Sequence, residues 1–125
     1  MALSGTFTPQ GFNETFVMEA GGNLYYSSHD VHTYTGTFTG TDVFEGIIVI
    51  YKDGRIRWQG KSTFAGTVAG CGTGTVVMEA VGGADSLTGP AHCHQETIGG
   101  TLPLHAAFDL VGTTASFTYS GSYSC

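Results

Sequence analysis

Glycine punctuates this chain so densely that it decides the fold class. Only one glycine-free stretch is longer than 12 residues, Asn23 to Thr35. Each interior glycine costs a helix about 1 kcal/mol relative to alanine, so a helical bundle has almost nowhere to form. The glycine-free stretch, NLYYSSHDVHTYT, is itself aromatic and β-branched, a composition that favours pleated strand. The 20 Gly in 125 residues follow no three-residue period, which excludes a collagen-like chain. A hydrophobic share of 41% excludes intrinsic disorder. No apolar run approaches the roughly 20 residues of a membrane-spanning helix, so no membrane association is expected. Residues 1–125 therefore read as one all-β domain of a size that supports a single core.

Charge narrows the partners. The formal net charge is −6, with 4 Lys plus Arg against 10 Asp plus Glu. Nucleic-acid binding needs a basic footprint that displaces counterions, and this chain lacks one. All four cations, Lys52, Arg55, Arg57 and Lys61, fall within ten residues of each other. The three cysteines, Cys71, Cys93 and Cys125, are an odd number without a CxxC pair. Secreted domains of this size more often carry an even disulfide framework. The start, MALSGTFTPQ, has neither the basic nor the apolar region of a signal peptide. The expectation is a cytoplasmic protein with reduced thiols.

Asp53-Gly54 lies between IIVIYK and RIRWQ, the strongest hairpin signal in the chain. Beyond it Ile56, Trp58 and Phe64 share one parity, and Arg55, Arg57, Gln59 and Lys61 the other. Side chains alternate across a sheet, so the first set faces a core and the cations face water. The same reading elsewhere predicts strands over 12–20, 23–38, 43–51, 55–65, 73–81, 91–98, 102–111 and 114–124. Residues 1–8 add a short edge strand. Thr101 and Pro103 could begin a helix, but Leu102, Leu104, Ala106, Phe108 and Leu110 alternate as in a strand. Eight meandering strands with both chain ends in strand predict a closed antiparallel barrel, calycin-like, because closure removes exposed edges. Such a barrel is filled by side chains or holds one small ligand. Residues 43–51 are apolar on both parities, so their outer face needs cover. A homo-oligomer, dimer or trimer, is the expected source.

The stretch FTGTDVFEGIIVIYKDGRIRWQGKSTFAGTVAGCGTGTVVMEAVG, Phe38 to Gly82, carries a resemblance. Its F-x-G start, the apolar strand ending at Tyr51, the Lys52-Asp53-Gly54 turn and the F-x-G-T step at Phe64–Thr67 belong together. They resemble a bacterial family of small, mostly uncharacterised proteins with allene-oxide-cyclase-like barrels. Ile98 to Leu102 and the closing Tyr-rich strand match more loosely. The resemblance implies an often oligomeric barrel whose apolar interior shapes a small hydrophobic or aromatic molecule. It carries over no catalytic motif residue by residue.

Two clusters could carry chemistry. Tyr26, Ser28, Asp30, His32 and Tyr34 share one parity, opposite a Thr-rich face, so the expectation places them inside. An Asp beside a His suits general acid–base work without a cofactor. Alternatively these are hydrogen-bonded polar groups lining an inert barrel. In the second cluster, His92, His94 and Glu96 point the same way on a strand, as an H-x-H metal site would require. A surface strand, or polar lining by His94 and Glu96, is the blander reading. Glu79, after an apolar run, is a further candidate for a buried carboxylate of raised pKa, or a strand-end charge in water. Trp58, Phe117 and Tyr119 are expected to pack in the core or against a ligand. His105 and Asp109 lie opposite the Leu/Phe face and should see solvent or a neighbouring subunit. Cys71 and Cys93 lack a nucleophile signature. The glycine-rich run 70–74 has no Lys and no following helix to cradle phosphate.

The expectation is thus a cofactor-free isomerase or cyclase binding an apolar or aromatic molecule. Asp30, His32, Tyr34 and Glu79 would move protons. Tyr26, Trp58, His94, Glu96, Phe117 and Tyr119 would contact the substrate. A carrier without chemistry, or a metal enzyme using His92, His94 and Glu96, are the alternatives.

Overall fold

The Asp53-Gly54 turn forms where the dipeptide sits. Gly54 takes φ +93°, a region open to glycine at little cost. Its N–H donates to Tyr51 O at 2.9 Å, and Arg55 N–H donates to Asp53 Oδ1 at 3.1 Å. The turn joins β4 (Phe38–Ile50) to β5 (Ile56–Val68), which pair antiparallel along their whole length. The computed structural model describes all 125 residues and contains nine strands and no helix. The others are β1 (Ala2–Pro9), β2 (Glu14–Ala20), β3 (Asn23–Gly36), β6 (Gly72–Ala84), β7 (Pro90–Gly100), β8 (His105–Thr113) and β9 (Ser116–Ser124). No helix is long and apolar enough to cross a membrane.

Successive strands from β3 to β9 pair in chain order, and β1 pairs with both β9 and β3. The result is a closed antiparallel eight-stranded barrel with β2 as a ninth strand. Residues 1–8 therefore close the barrel, where the sequence reading had only an edge strand. The strand read over 12–20 is the extra one. Both β1 and β2 lie along the same edge of β3, with Phe7 opposite Tyr34 and Glu14 opposite Ser28. Between them Gln10 N–H donates to Val31 O, and His29 N–H donates to Asn13 O. Thus β1 and β2 are one line of chain interrupted by residues 10–13. The start of the strand read over 102–111 also shifts: residues 101–104 lie outside any strand, and β8 starts at His105.

Alternation divides the interior into two zones. At one end Tyr34, Phe38, Phe64, Phe108 and Tyr119 form an aromatic plug, with centroids 5.3 to 5.9 Å apart along the chain of contacts Phe64–Phe38–Phe108 and Phe38–Tyr119. Inclined rings at such separations attract through their quadrupoles as well as through buried area. Cys71 in the β5–β6 turn is disulfide-bonded to Cys125 beyond β9, with Cα atoms 5.6 Å apart. Cys93 is free and buried. The bridge overturns the expectation of three reduced thiols. It also removes the support that those thiols lent to a cytoplasmic location, because disulfides persist in oxidising compartments. The opposite end of the barrel is open.

Candidate functional site

The open end leads into a cavity of about 410 Å³, within the range of about 300–1,000 Å³ usual for small-molecule sites. Its mouth lies where the β1–β2 line breaks, beside Pro9, Phe12 and Glu14, and near Leu87 and Thr114 of two neighbouring loops. Thr114 Oγ1 donates to Leu87 O at 2.6 Å, tying those loops together. Among the walls are Tyr26, Phe44, Ile48, Trp58 and Phe117. Trp58 depends on a missing side chain opposite it. A Cβ on Gly82 would stand 2.8 Å from the indole ring, so only glycine lets the ring lie flat there.

Polar groups follow β3 from the plug to the mouth. The even residues of this strand point inward, as its alternation predicted. His32 Nδ1 stands 2.6 Å from Asp42 Oδ1, and the Tyr34 hydroxyl donates to Asp42 Oδ2 at 2.7 Å. A carboxylate only accepts, so the His32–Asp42 bond places the proton on Nδ1. Nε2 is then the ring nitrogen left for a ligand, and His32 lines the cavity. The imidazole also stacks on Phe7 at 4.3 Å between centroids. Burial, then the Asp42 charge, holds the Tyr34 phenol well above its ordinary value, so Tyr34 stays a proton donor. Gln95 Oε1 lies 3.1 Å from the same hydroxyl.

Nearer the mouth, Asp30 Oδ1 accepts from Asn13 N–H at 2.7 Å, and Oδ2 accepts from Ser28 Oγ at 2.9 Å. Glu14 Oε1 is 3.2 Å from the same Ser28 hydroxyl, and the Glu14 carboxyl also reaches Asp30. Burial and the Asp30 carboxylate push Glu14 up to about 7. Near neutrality the two carboxyls therefore hold one proton for much of the time. Ser62 Oγ, inside the same cavity, is buried without any hydrogen-bond partner.

The structure brings together Asp30, His32, Tyr26, Trp58 and Phe117 around the cavity. It separates the rest. Glu79 is exposed on the outer face of β6, because Met78 and Ala80 take the inward positions. His94 and Glu96 also lie outside, since Cys93 and Gln95 are the buried parity of β7. There His94 Nδ1 meets Asp109 Oδ1 and Nε2 meets Glu96 Oε1, both at 2.9 Å. His92 Nε2 lies 3.2 Å from Asp109. Those two carboxylates raise His94 and occupy both its ring nitrogens, so His92, His94 and Glu96 do not converge on a metal position. Tyr34 sits behind Asp42 in the plug, outside the cavity wall. Tyr119 is likewise structural: its hydroxyl donates to Thr35 O at 2.7 Å and accepts from Phe38 N–H at 3.0 Å. Burial pushes the Cys93 thiol up to about 11, which keeps it protonated and a poor nucleophile.

Asp42, Glu14, Gln95 and Ser62 were missed. Asp42 shares the parity of Phe44 and Ile48, but the predicted strand began at 43 and left it in a turn. Gln95 shares the parity of Ala91 and Cys93, a weaker apolar signal than the His-x-His beside it.

No protein-family model matches the chain, and no curated protein matches it. Among solved structures it is similar to a protein of unknown function from the DUF3224 family of Shewanella oneidensis MR-1, with a TM-score of 0.73. The two are 16% identical, over 99% of this chain and 96% of that one. This is a likeness of fold: a small closed β-barrel.

Proposed function

We propose that the barrel binds a small apolar or aromatic molecule and moves a proton on it, in a cofactor-free isomerisation or cyclisation. This is the activity that an allene-oxide-cyclase-like barrel implies. The observation that supports it is the Asp42–His32 pair on the floor of a largely apolar cavity. With Nδ1–H held by Asp42, Nε2 is a base oriented toward the ligand, and dry walls strengthen its action. In the proposed step a ligand C–H bond breaks and its proton passes to Nε2. The electron pair moves into the neighbouring π-system, and the proton returns from Nε2 at another position. Asp42 and Tyr34 are positioning residues here, because neither touches the ligand.

Native mass spectrometry of the protein purified from its source cells tests the reading. A retained small molecule is expected, and the same spectrum should show more than one copy of the chain. Self-association is proposed because Ile47, Val81 and Val111 face outward and are about half exposed. The recovered molecule, incubated with fresh protein in D2O, should take up deuterium at carbon. His32→Gln should slow that uptake by about 10²- to 10⁴-fold while still binding. A molecule returned unchanged and undeuterated refutes the catalytic reading and leaves a carrier. A single-copy spectrum refutes self-association.

A further inference from the structure

We propose that the molecule this cavity takes is an organic cation: an aromatic or apolar body with a protonated amine at the mouth and a hydroxyl or carbonyl that reaches Ser62. The inference rests on the reading of the cavity as a binding site. Three observations carry it together.

The first is charge. The titratable groups facing the cavity are Glu14 from β2, Tyr26, Asp30 and His32 from β3, and Cys93 from β7. No Lys or Arg lines it: Arg57 and Lys61 take the outward parity of β5, opposite Trp58, and Lys52 and Arg55 stand exposed in the β4–β5 turn. Glu14 and Asp30 share one Ser28 hydroxyl, so two carboxyls crowd together with no cation to separate them. An anionic ligand would meet only like charge at the mouth. An ammonium group would supply the missing counter-charge and let Glu14 give up its proton.

The second is the lining. Phe7, Phe12, Tyr26, Phe44, Trp58 and Phe117 present six aromatic rings to the cavity. Ring faces carry negative potential and attract cations, most strongly where water is excluded. Aliphatic walls would serve a neutral hydrocarbon equally well, but they could not stabilise a charge.

The third is Ser62, 1% exposed, facing the cavity with its hydroxyl unpaired. A buried hydroxyl without a partner is costly, and a ligand oxygen would satisfy it. Asp30 pairs with Phe44, which pairs with Ser62, so the two polar points lie on one row across three strands. At about 4.8 Å per strand they are roughly 10 Å apart along the wall. A ring system with a short amine side chain spans that distance.

Isothermal titration of the full chain near pH 7.5 with 2-(1-naphthyl)ethylamine, 2-(1-naphthyl)ethanol and 1-naphthylacetate tests the proposal. The amine should bind at least about tenfold more tightly than the alcohol, and the carboxylate most weakly. Glu14→Gln, and independently Asp30→Asn, should erase the amine's advantage while leaving the alcohol within about twofold. A ring hydroxyl added to the amine should raise affinity severalfold in the wild type and not in Ser62→Ala. If the alcohol binds as well as the amine, or the advantage survives both carboxyl variants, the cation proposal is overturned and the binding reading stands. If a ring hydroxyl gives no gain in the wild type, the Ser62 contact is overturned. If none of the three probes binds at millimolar concentration, the binding reading fails with it.

Discussion

Replacing Asp42 by Asn tests whether the polar floor is built as described. Asp42 is 1% exposed and receives two hydrogen bonds, from His32 at 2.6 Å and from Tyr34 at 2.7 Å. Bonds to a charged acceptor contribute about 1.5–3 kcal/mol each, roughly twice the neutral value. Asparagine keeps one oxygen for Tyr34 but presents an NH2 to His32 Nδ1, which must then surrender its proton. Both bonds survive in weaker form, so the net cost is about 2–3 kcal/mol. For a chain of this length that corresponds to a fall in Tm of roughly 8–12 °C. Asp42→Ala leaves two buried donors unpaired and should cost more, about 3–5 kcal/mol. Thermal unfolding followed by circular dichroism gives the stability order. Nitrogen-15 NMR of His32 gives the tautomer, with the proton on Nδ1 in the wild type and on Nε2 in Asp42→Asn. A Tm within about 2 °C of wild type, or a His32 ring that keeps its Nδ1 proton in the variant, would refute the argument.

Glu14 sets a pH dependence. Its native-state value of about 7 exceeds the ordinary 4.5, so the native state binds more protons than the unfolded chain between those limits. Its contribution to stability is complete below about pH 4.5, declines as pH rises and is gone above about 7. Unscreened, the rise would correspond to about 3 kcal/mol; solvent at the mouth reduces it to about 1 kcal/mol. Urea unfolding across that window should show the slope in the wild type and lose it in Glu14→Gln; equal slopes would exclude the assignment. The Cys71–Cys125 bridge spans 54 residues, for which loop-closure entropy gives about 4 kcal/mol. Cys125→Ser should lower stability by most of that amount, measured under non-reducing conditions, and a variant as stable as wild type would exclude the bridge.

The barrel was legible because its signals are local. Glycine spacing removed helices, Asp53-Gly54 marked one turn, and alternation oriented β3, β5, β8 and β9. What alternation could not show is which strands share an edge. That β1 and β2 run in line along β3 depends on the pairing of Phe7 with Tyr34 and Glu14 with Ser28, between residues 14 to 27 apart in sequence. No short window contains that relation. The disulfide was hidden for the same reason: Cys71 and Cys125 meet only because β6 to β9 return the chain end to the β5–β6 turn.

The candidate site divides along the same physical line. Asp30 and His32 were legible, because an aromatic parity opposite a Thr-rich one reports the barrel interior directly. The partners that give them a role were not. Asp42 reaches His32 from the next strand, and Glu14 reaches Asp30 from the interrupted line at the mouth. The candidates that lie on the outer face share one cause. Glu79, His94 and Glu96 were chosen by residue type, although small or uncharged neighbours (Ala80, Cys93, Gln95) held the inward positions. In a chain whose cations are confined to one exterior hairpin, a buried carboxylate has no Lys or Arg to meet. It must share hydrogen bonds with His, Tyr, Ser or another acid, as Asp42 and the Glu14–Asp30 pair do. The scarcity of positive charge is therefore what gives the cavity its acid–base groups and its opening for a cation.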